Sequence, residues 1–133
     1  MRKLLLTALT STLIATSAAC GGDAVAPTIS NLVLQQRTLK LGTAGQGSLH
    51  IQDADGDLGQ AKVQLKFKHL TGVDVATEIP IQGLVNGATA VDAVLAYGLT
   101  TGAPAGAWTL SVSVTDSAGM LSNTLTSTLT LTQ

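Results

Sequence analysis

Aromatic residues are scarce in this chain of 133 residues, where Phe67, Tyr97 and Trp108 make up 2% of the sequence. Proteins that bind single-stranded nucleic acid stack the bases on aromatic side chains. Charged residues are scarce as well, at 11% of the chain with a formal net charge of −1, and no basic cluster is present that would neutralise phosphates. The composition therefore argues against nucleic acid as a partner.

Cysteine occurs once, at Cys20, so the chain has no internal disulfide. Ahead of it, Arg2 and Lys3 precede an apolar run over residues 4–19, which is the plan of an export signal. The run is too short and too polar to span a membrane, which takes about 20 predominantly apolar residues. We predict a signal segment over residues 1–19, a small-residue tether over 20–27 and one domain over 28–133.

The residues Ala18, Ala19, Cys20 and Gly21 resemble the cleavage box of bacterial lipoproteins, whose cysteine is acylated and starts the mature chain. The resemblance implies a lipid on Cys20, contact with a membrane through that anchor, and a place in the bacterial cell envelope, at the outer membrane or cell surface. Ser17 departs from the box, where lipoproteins usually carry leucine, and it also suits ordinary cleavage that releases a periplasmic or secreted protein. Both interpretations stay open, and the lone cysteine favours acylation because it has no disulfide partner.

Groups suited to catalysis are also few. His50 and His69 are the only histidines, and there is no second cysteine, whereas a catalytic metal site usually takes about three protein ligands. No Gly-x-Ser-x-Gly elbow occurs, and no acid and histidine pair has the spacing of a catalytic triad. We therefore predict that the chain is not an enzyme and that both histidines are exposed on polar faces or loops.

Alternation with a period of two is what the chain has in abundance. It is clearest over residues 106–119, where Trp108, Leu110, Val112 and Val114 alternate with Thr and Ser before a turn of Asp, Ser, Ala and Gly. Successive side chains of a strand point to opposite faces. Because Trp108 is in phase with the aliphatic residues, we expect it in the core and not on a sugar-binding surface.

The same period marks the other predicted strands. Residues 73–81 are expected to form one or two short, irregular edge strands, because Pro80 cannot donate to a ladder and limits the pairing. The last strand, lined by Thr on one face, is also expected at a sheet edge. The first shifts phase near Asn31 and continues through Leu39 and Leu41. These predicted strands lie at residues 28–41, 48–52, 62–68, 73–81, 91–97, 106–115 and 121–131.

About seven to nine short antiparallel strands, with no helix required, predict an all-β, immunoglobulin-like sandwich behind the signal segment. The run over residues 106–119, with Asp53, Asp55, Gly56 and Asp57, resembles the immunoglobulin-like domains of bacterial surface proteins and lipoproteins. The resemblance implies a fold and no particular function. The paired cysteines of antibody domains are lacking.

Four aspartates form the sharpest candidate site. Asp53, Asp55 and Asp57 follow one strand, Asp116 follows the central strand, and an immunoglobulin-like order brings these two loops to one end of the sandwich. Carboxylates that converge repel one another, and calcium, which takes six to eight oxygen ligands, would remove that repulsion. The segment is not an EF-hand, since Gly56 stands at the fourth loop position instead of the sixth. Asp and Gly also favour plain solvated turns, so a Ca²⁺ site and a solvated turn both remain open.

The leading hypothesis is a non-catalytic, lipid-anchored binding or structural module that meets a protein or polysaccharide through its loops or its last strand. A carbohydrate-binding accessory domain is the alternative, and it requires Trp108 or Tyr97 to be exposed. A small metalloenzyme on a sandwich scaffold is less favoured because its ligands are too few. The lysine stripe Lys62, Lys66 and Lys68 is interpreted as a solvated face.

Overall fold

The computed structural model describes residues 25–81 and 87–133. The predicted signal segment and Cys20 lie outside the described residues. Within the described ranges no helix is long and apolar enough to cross a membrane. The prediction of an all-β sandwich is confirmed. Its strands are β1 (Thr28–Leu34), β2 (Thr38–Lys40), β3 (Gly45–Gln52), β4 (Lys62–His69), β5 (Asp74–Pro80), β6 (Ala90–Tyr97), β7 (Gly106–Thr115) and β8 (Leu125–Thr132).

Two sheets enclose the core. One has three strands in the order β1-β3-β6, and the other has five in the order β2-β8-β7-β4-β5. Every pairing is antiparallel except that of β2 with β8. Alternate side chains of both sheets meet between them, as expected for two sheets packed face to face.

Strand β7 is the centre of the larger sheet, with β4 on one side and β8 on the other. Its inward side chains, Trp108, Leu110, Val112 and Val114, are at most 1% exposed, so the predicted core role of Trp108 is confirmed. The indole Nε1 donates to the Pro104 carbonyl at 3.0 Å. Burying each such side chain contributes about 1.5–3 kcal/mol, so this strand is firmly anchored in the core.

The predicted phase shift in β1 is confirmed at Asn31. The register of β1 against β3 shifts between Ser30 and Val33, and Asn31 has φ of 56°. Asparagine tolerates this left-handed conformation better than most residues because its short side chain can bond to nearby backbone. The extra residue keeps Ile29 and Leu34 both on the buried face.

The prediction that Leu39 and Leu41 continue the first strand is wrong. The chain crosses to the other sheet, where β2 pairs with β8 in parallel. Tyr97 holds the crossing in place, because its hydroxyl donates to the Gln36 carbonyl at 2.6 Å and accepts from the Gln36 N–H at 3.1 Å. Leu39 and Leu41 are buried all the same, so their alternation alone did not reveal the change of sheet.

The prediction that the last strand is a sheet edge is also wrong. Strand β8 lies between β7 and β2, and β2 pairs with its final residues, Thr130, Leu131 and Thr132. Leu121 lies outside it and forms an isolated bridge with Thr115. By contrast, the edge predicted near Pro80 is confirmed, since β5 ends the order of the five-stranded sheet.

Candidate cation site

The loop that follows β3, residues 53–60, is called the aspartate loop below. Hydrogen bonds to Asp53 fix its conformation. The Asp53 N–H donates to the Thr89 carbonyl at 2.8 Å, and Asp53 Oδ1 accepts from the Asp55 N–H at 3.0 Å. Gly56 then takes φ of 68° while its N–H donates to the Asp53 carbonyl at 3.1 Å. A side chain that bonds backbone two residues on, followed by glycine in the left-handed region, is the usual chemistry of a tight turn.

This turn brings three carboxylates together. Asp53, Asp55 and Asp57 each offer an oxygen, and these atoms all lie within 4.8 Å of one another. Asp53 is 2% exposed, Asp57 is half-buried and Asp55 is exposed. The group is therefore closed towards the protein at Asp53 and open towards solvent at Asp55.

Two of these oxygens are buried without a donor. Asp53 Oδ2 and Asp57 Oδ1 have no hydrogen-bond partner among the described residues. Leaving a buried polar atom unpaired costs about 1–3 kcal/mol, and more when the group is charged. A cation bound between the carboxylates would remove that cost, because it would serve both oxygens.

The pKa of Asp57 is raised above its ordinary value of 3.8. The main cause is the carboxyl of Asp53, which can share a hydrogen with Asp57 only when Asp57 is protonated; burial and the charges of Asp53 and Asp55 act in the same direction. A hydrogen bond from its own backbone acts in the opposite direction. A proton and a metal ion would therefore compete for the same place.

Asp116, the fourth predicted carboxylate, lies at the same end of the sandwich but outside the group of three. Its loop touches the aspartate loop, since the Ser117 N–H donates to the Asp57 carbonyl at 2.9 Å and Ser117 Oγ accepts from the Gln60 N–H at 2.9 Å. Asp116 Oδ1 accepts from the N–H groups of Ala118 and Met120. This carboxylate closes its own turn, and its other oxygen is buried without a partner among the described residues.

Two further segments meet the aspartate loop, and sequence reasoning missed both. The Val25 N–H donates to Asp55 Oδ2 at 2.5 Å, and the Gly87 N–H donates to the Gly56 carbonyl at 2.6 Å. The first described residue of the domain thus lies against the exposed aspartate. Spacing along the sequence gives no sign of a contact between residues 30 positions apart.

The comparisons with known proteins bear on the fold. No protein-family model and no curated protein sequence matches the chain. A Niemann-Pick type C2 protein from the Japanese carpenter ant is similar in structure, with a TM-score of 0.59 at 6% identity over 83% of this chain and 96% of that one. The likeness is one of fold alone.

Two bacterial structures resemble the chain over part of their length. The alkylpurine DNA glycosylase AlkC of Pseudomonas fluorescens has a TM-score of 0.53 at 13% identity, over 80% of this chain and 30% of that one. The sporulation control protein Spo0M of Bacillus subtilis has a TM-score of 0.52 at 11% identity, over 82% of this chain and 50% of that one. The chain is thus an all-β sandwich with immunoglobulin-like structural neighbours.

The aromatic platform that a carbohydrate-binding domain requires is not provided by Trp108 or Tyr97. Their exposed fractions are 1% and 2%, and both polar atoms are used within the fold, by the Pro104 carbonyl and by Gln36. Burial of these rings removes the basis on which the sequence suggested a sugar site.

The prediction that both histidines are exposed is wrong for His69, which is 6% exposed. Its ring lies 4.9 Å from that of Trp108, and Nε2 lies 3.1 Å from the Ala105 carbonyl. A carbonyl only accepts, so Nε2 carries the hydrogen and Nδ1 accepts from the Thr71 hydroxyl at 2.7 Å. His50 is half-buried, and its Nδ1 lies 2.7 Å from Asp92 Oδ1. Neither histidine belongs to the group of metal-ligating side chains found among the described residues.

Proposed function

We propose that this chain is a non-catalytic binding or structural module, held in the bacterial cell envelope by a lipid on Cys20. The observation that carries the proposal is that the aromatic and imidazole side chains considered for binding or catalysis are packed inside the sandwich and hydrogen-bonded there. Trp108, Tyr97 and His69 are buried and hydrogen-bonded. A protein or polysaccharide partner would then meet the loops at the ends of a rigid sandwich.

The anchor is tested by mass spectrometry of the mature N-terminus from membrane fractions. We expect a chain that begins at Cys20 and carries the mass of acyl groups. The matched control is Cys20→Ser, which should leave the membrane fraction and remain folded because Cys20 precedes the predicted domain of residues 28–133 in the sequence. An unmodified Cys20 on a soluble wild-type protein would refute the anchor and leave the fold untouched.

We propose Ca²⁺ as the ion that the aspartate loop holds. Asp53, Asp55 and Asp57 supply only oxygen, the ligand of hard cations, and calcium accepts irregular sets of six to eight oxygens more readily than magnesium, which demands a near-ideal octahedron. The strongest support is Asp53, whose carboxylate is almost fully buried and has one oxygen without a donor among the described residues.

Isothermal titration calorimetry with calcium tests this site directly. We expect one ion per chain, weaker binding of magnesium, and loss of binding in Asp53→Asn. Asp74→Asn is the matched control, because Asp74 is an exposed aspartate at the start of β5 and belongs to a different strand pair. Equal heats with calcium and with buffer alone would show that the loop is a solvated turn.

A further inference from the structure

Strand β6 forms one edge of the three-stranded sheet. The Asp53 N–H donates to the Thr89 carbonyl, which continues the β3–β6 ladder by one pair. Because hydrogen-bonded pairs recur at every second residue, the odd-numbered residues of β6 bond to β3 and the even-numbered ones point their N–H and C=O groups away from it. Among the described residues these outward groups have no hydrogen-bond partner. They belong to Ala90, Asp92, Val94 and Ala96.

The other described edge strands carry features that prevent pairing. On β1, Asn123 Oδ1 accepts from the Ile29 N–H at 2.8 Å, and Asn123 Nδ2 donates to the Ile29 carbonyl at 3.0 Å. On β5, the residues that face the open side include Pro80, which has no N–H, and the charged Asp74 and Glu78. Strand β2 has only three residues. Charges, proline and short strands are the usual protections of a sheet edge.

Strand β6 is poorly protected by comparison. Asp92 is its only charged residue, and His50 Nδ1 lies 2.7 Å from that carboxylate. Val94 is 74% exposed, and its row across the sheet runs through Ser48 to a second exposed valine, Val33. An apolar strand with free backbone groups can accept another strand along its edge.

A second copy of β6 fits this edge in the antiparallel direction. With Val94 opposite Val94 of the second copy, the two exposed valines contact each other and Asp92 lies opposite Ala96. The two Asp92 carboxylates are then about 13 Å apart, further than the screening length of about 8 Å at physiological ionic strength. Both strands are already ordered, so the pairing avoids the entropic cost of ordering a flexible peptide.

We propose that two copies of this chain associate through β6, antiparallel and centred on Val94, so that their three-stranded sheets become one continuous sheet. The assembly closes at two copies, because the edges that remain are the β1 strands, where Asn123 occupies the Ile29 backbone. A contact of one strand pair is smaller than a standard interface of about 800 Å² per partner, so we expect the dimer to dissociate on dilution. The pairing uses residues 91–97 and requires neither calcium nor a lipid on Cys20.

Disulfide cross-linking tests both the contact and its register. The full chain is studied in mild detergent with Cys20→Ser, so that an introduced thiol is the only one. Opposite Cα atoms of a hydrogen-bonded antiparallel pair are about 5.5 Å apart, which is within disulfide range. Val94→Cys should therefore form linked dimers at least about tenfold faster than Ala96→Cys, whose two copies would be about 13 Å apart. Mixing Asp92→Cys with Ala96→Cys should give the mixed dimer, because these positions are opposite.

Sedimentation velocity of the Cys20→Ser chain over a range of concentrations, in the same detergent, measures the association. We expect a monomer–dimer equilibrium that Val94→Lys shifts to monomer and that Val33→Lys retains. Both valines are exposed, so both lysine variants should stay folded.

Four outcomes would overturn the proposal. They are a dimer that persists in Val94→Lys, equally fast cross-linking of Val94→Cys, Ala96→Cys and Val33→Cys, and a chain that stays monomeric at every concentration. The fourth is a Val94→Cys chain that in cells becomes linked to a different protein and never to itself, since the edge would then serve another partner.

Discussion

Two buried carboxylate oxygens, one on Asp53 and one on Asp57, give the aspartate loop its chemistry. In an ordinary solvated turn the side chains of aspartate bond backbone or water. Here Asp53 Oδ1 does accept from the Asp55 N–H, but Asp53 Oδ2 and Asp57 Oδ1 are buried without a donor among the described residues. A proton or a cation placed between these oxygens would remove the cost of leaving them unpaired.

The proton gives a prediction for the calcium-free protein. Because the pKa of Asp57 is raised above 3.8 in the folded chain, the folded state binds more protons than the unfolded state in the range between the two values. The free energy of unfolding should fall as pH rises through that range. Asp57→Asn cannot ionise, so in chelator we expect it to be more stable than wild type above the raised pKa and to lose that advantage below pH 3.8.

Urea unfolding across acid and neutral pH, in chelator, measures this difference. Asp74→Asn serves as the control and should follow the wild-type curve. Parallel curves for wild type and Asp57→Asn would contradict the shared-hydrogen explanation of the raised pKa.

His69 gives a second prediction at the scale of one residue. It contacts the Trp108 ring, and both of its ring nitrogens are hydrogen-bonded. Gly106 leaves the room for it, because a Cβ there would lie 3.0 Å from Nε2. His69→Ala should lower the free energy of unfolding by about 2–3 kcal/mol through a cavity and an unpaired Ala105 carbonyl. The half-buried His50 provides the control, since its imidazole contacts the exposed Asp92 and not the core, and His50→Ala should change stability by less than about 1 kcal/mol in the same unfolding experiment.

At the scale of the element, the alternation of apolar and polar residues predicted where the strands lie, but it did not predict which strands pair with one another. The buried sets of β3, β4, β6 and β7 follow from side chains that point to opposite faces of a strand. The crossing of β2 to the second sheet could not be predicted, because Leu39 and Leu41 would be buried in either sheet. Likewise, a three-residue parallel partner turned the expected edge strand β8 into an inner one.

The crossing between β1 and β2 depends on Tyr97, which yields a prediction at this scale. Tyr97→Phe keeps the buried ring and removes both hydrogen bonds to the Gln36 backbone. Because water can reach Gln36, we expect the free energy of unfolding to fall by about 1–1.5 kcal/mol, without loss of the fold. Hydrogen exchange should accelerate at residues 35–37 and stay unchanged in β4. Equal exchange rates in both proteins would show that the crossing is held by β2 and β8 alone.

At the scale of the whole molecule, the scarcity of aromatic residues and the fold are connected. All three rings, Phe67, Tyr97 and Trp108, lie in the single core between the sheets. None of the three rings is left for recognition. The described surface instead offers aliphatic side chains such as Leu70 and Val94, the lysine stripe and the carboxylate cluster. The sequence predicted that four aspartates of two loops converge at one end of the sandwich, and the structure brings together the three that belong to one loop. The sequence could not predict the orientation of the Asp116 side chain, because its Oδ1 accepts hydrogen bonds from the N–H groups of Ala118 and Met120 in its own turn.

An ion bound only by the folded state must stabilise the whole domain by mass action, and that gives the last prediction. Extracellular calcium modules have dissociation constants of about 10⁻⁴–10⁻³ M, so about 10 mM calcium should add about 1.4–2.7 kcal/mol to the free energy of unfolding. For a domain near 100 residues this raises the melting midpoint by roughly 5–10 °C. The rise should shrink as pH falls through the raised pKa of Asp57, because protonation removes a ligand.

Calorimetric melting in calcium and in chelator, at neutral and acid pH, measures that rise. Asp53→Asn should melt at the same temperature in both solutions, and Asp74→Asn should respond as wild type does. A rise that persists unchanged at acid pH would mean that calcium binds elsewhere on the domain. The carboxylates are thus expected to link the stability of the entire sandwich to one loop that lies beside the point where the chain enters the fold.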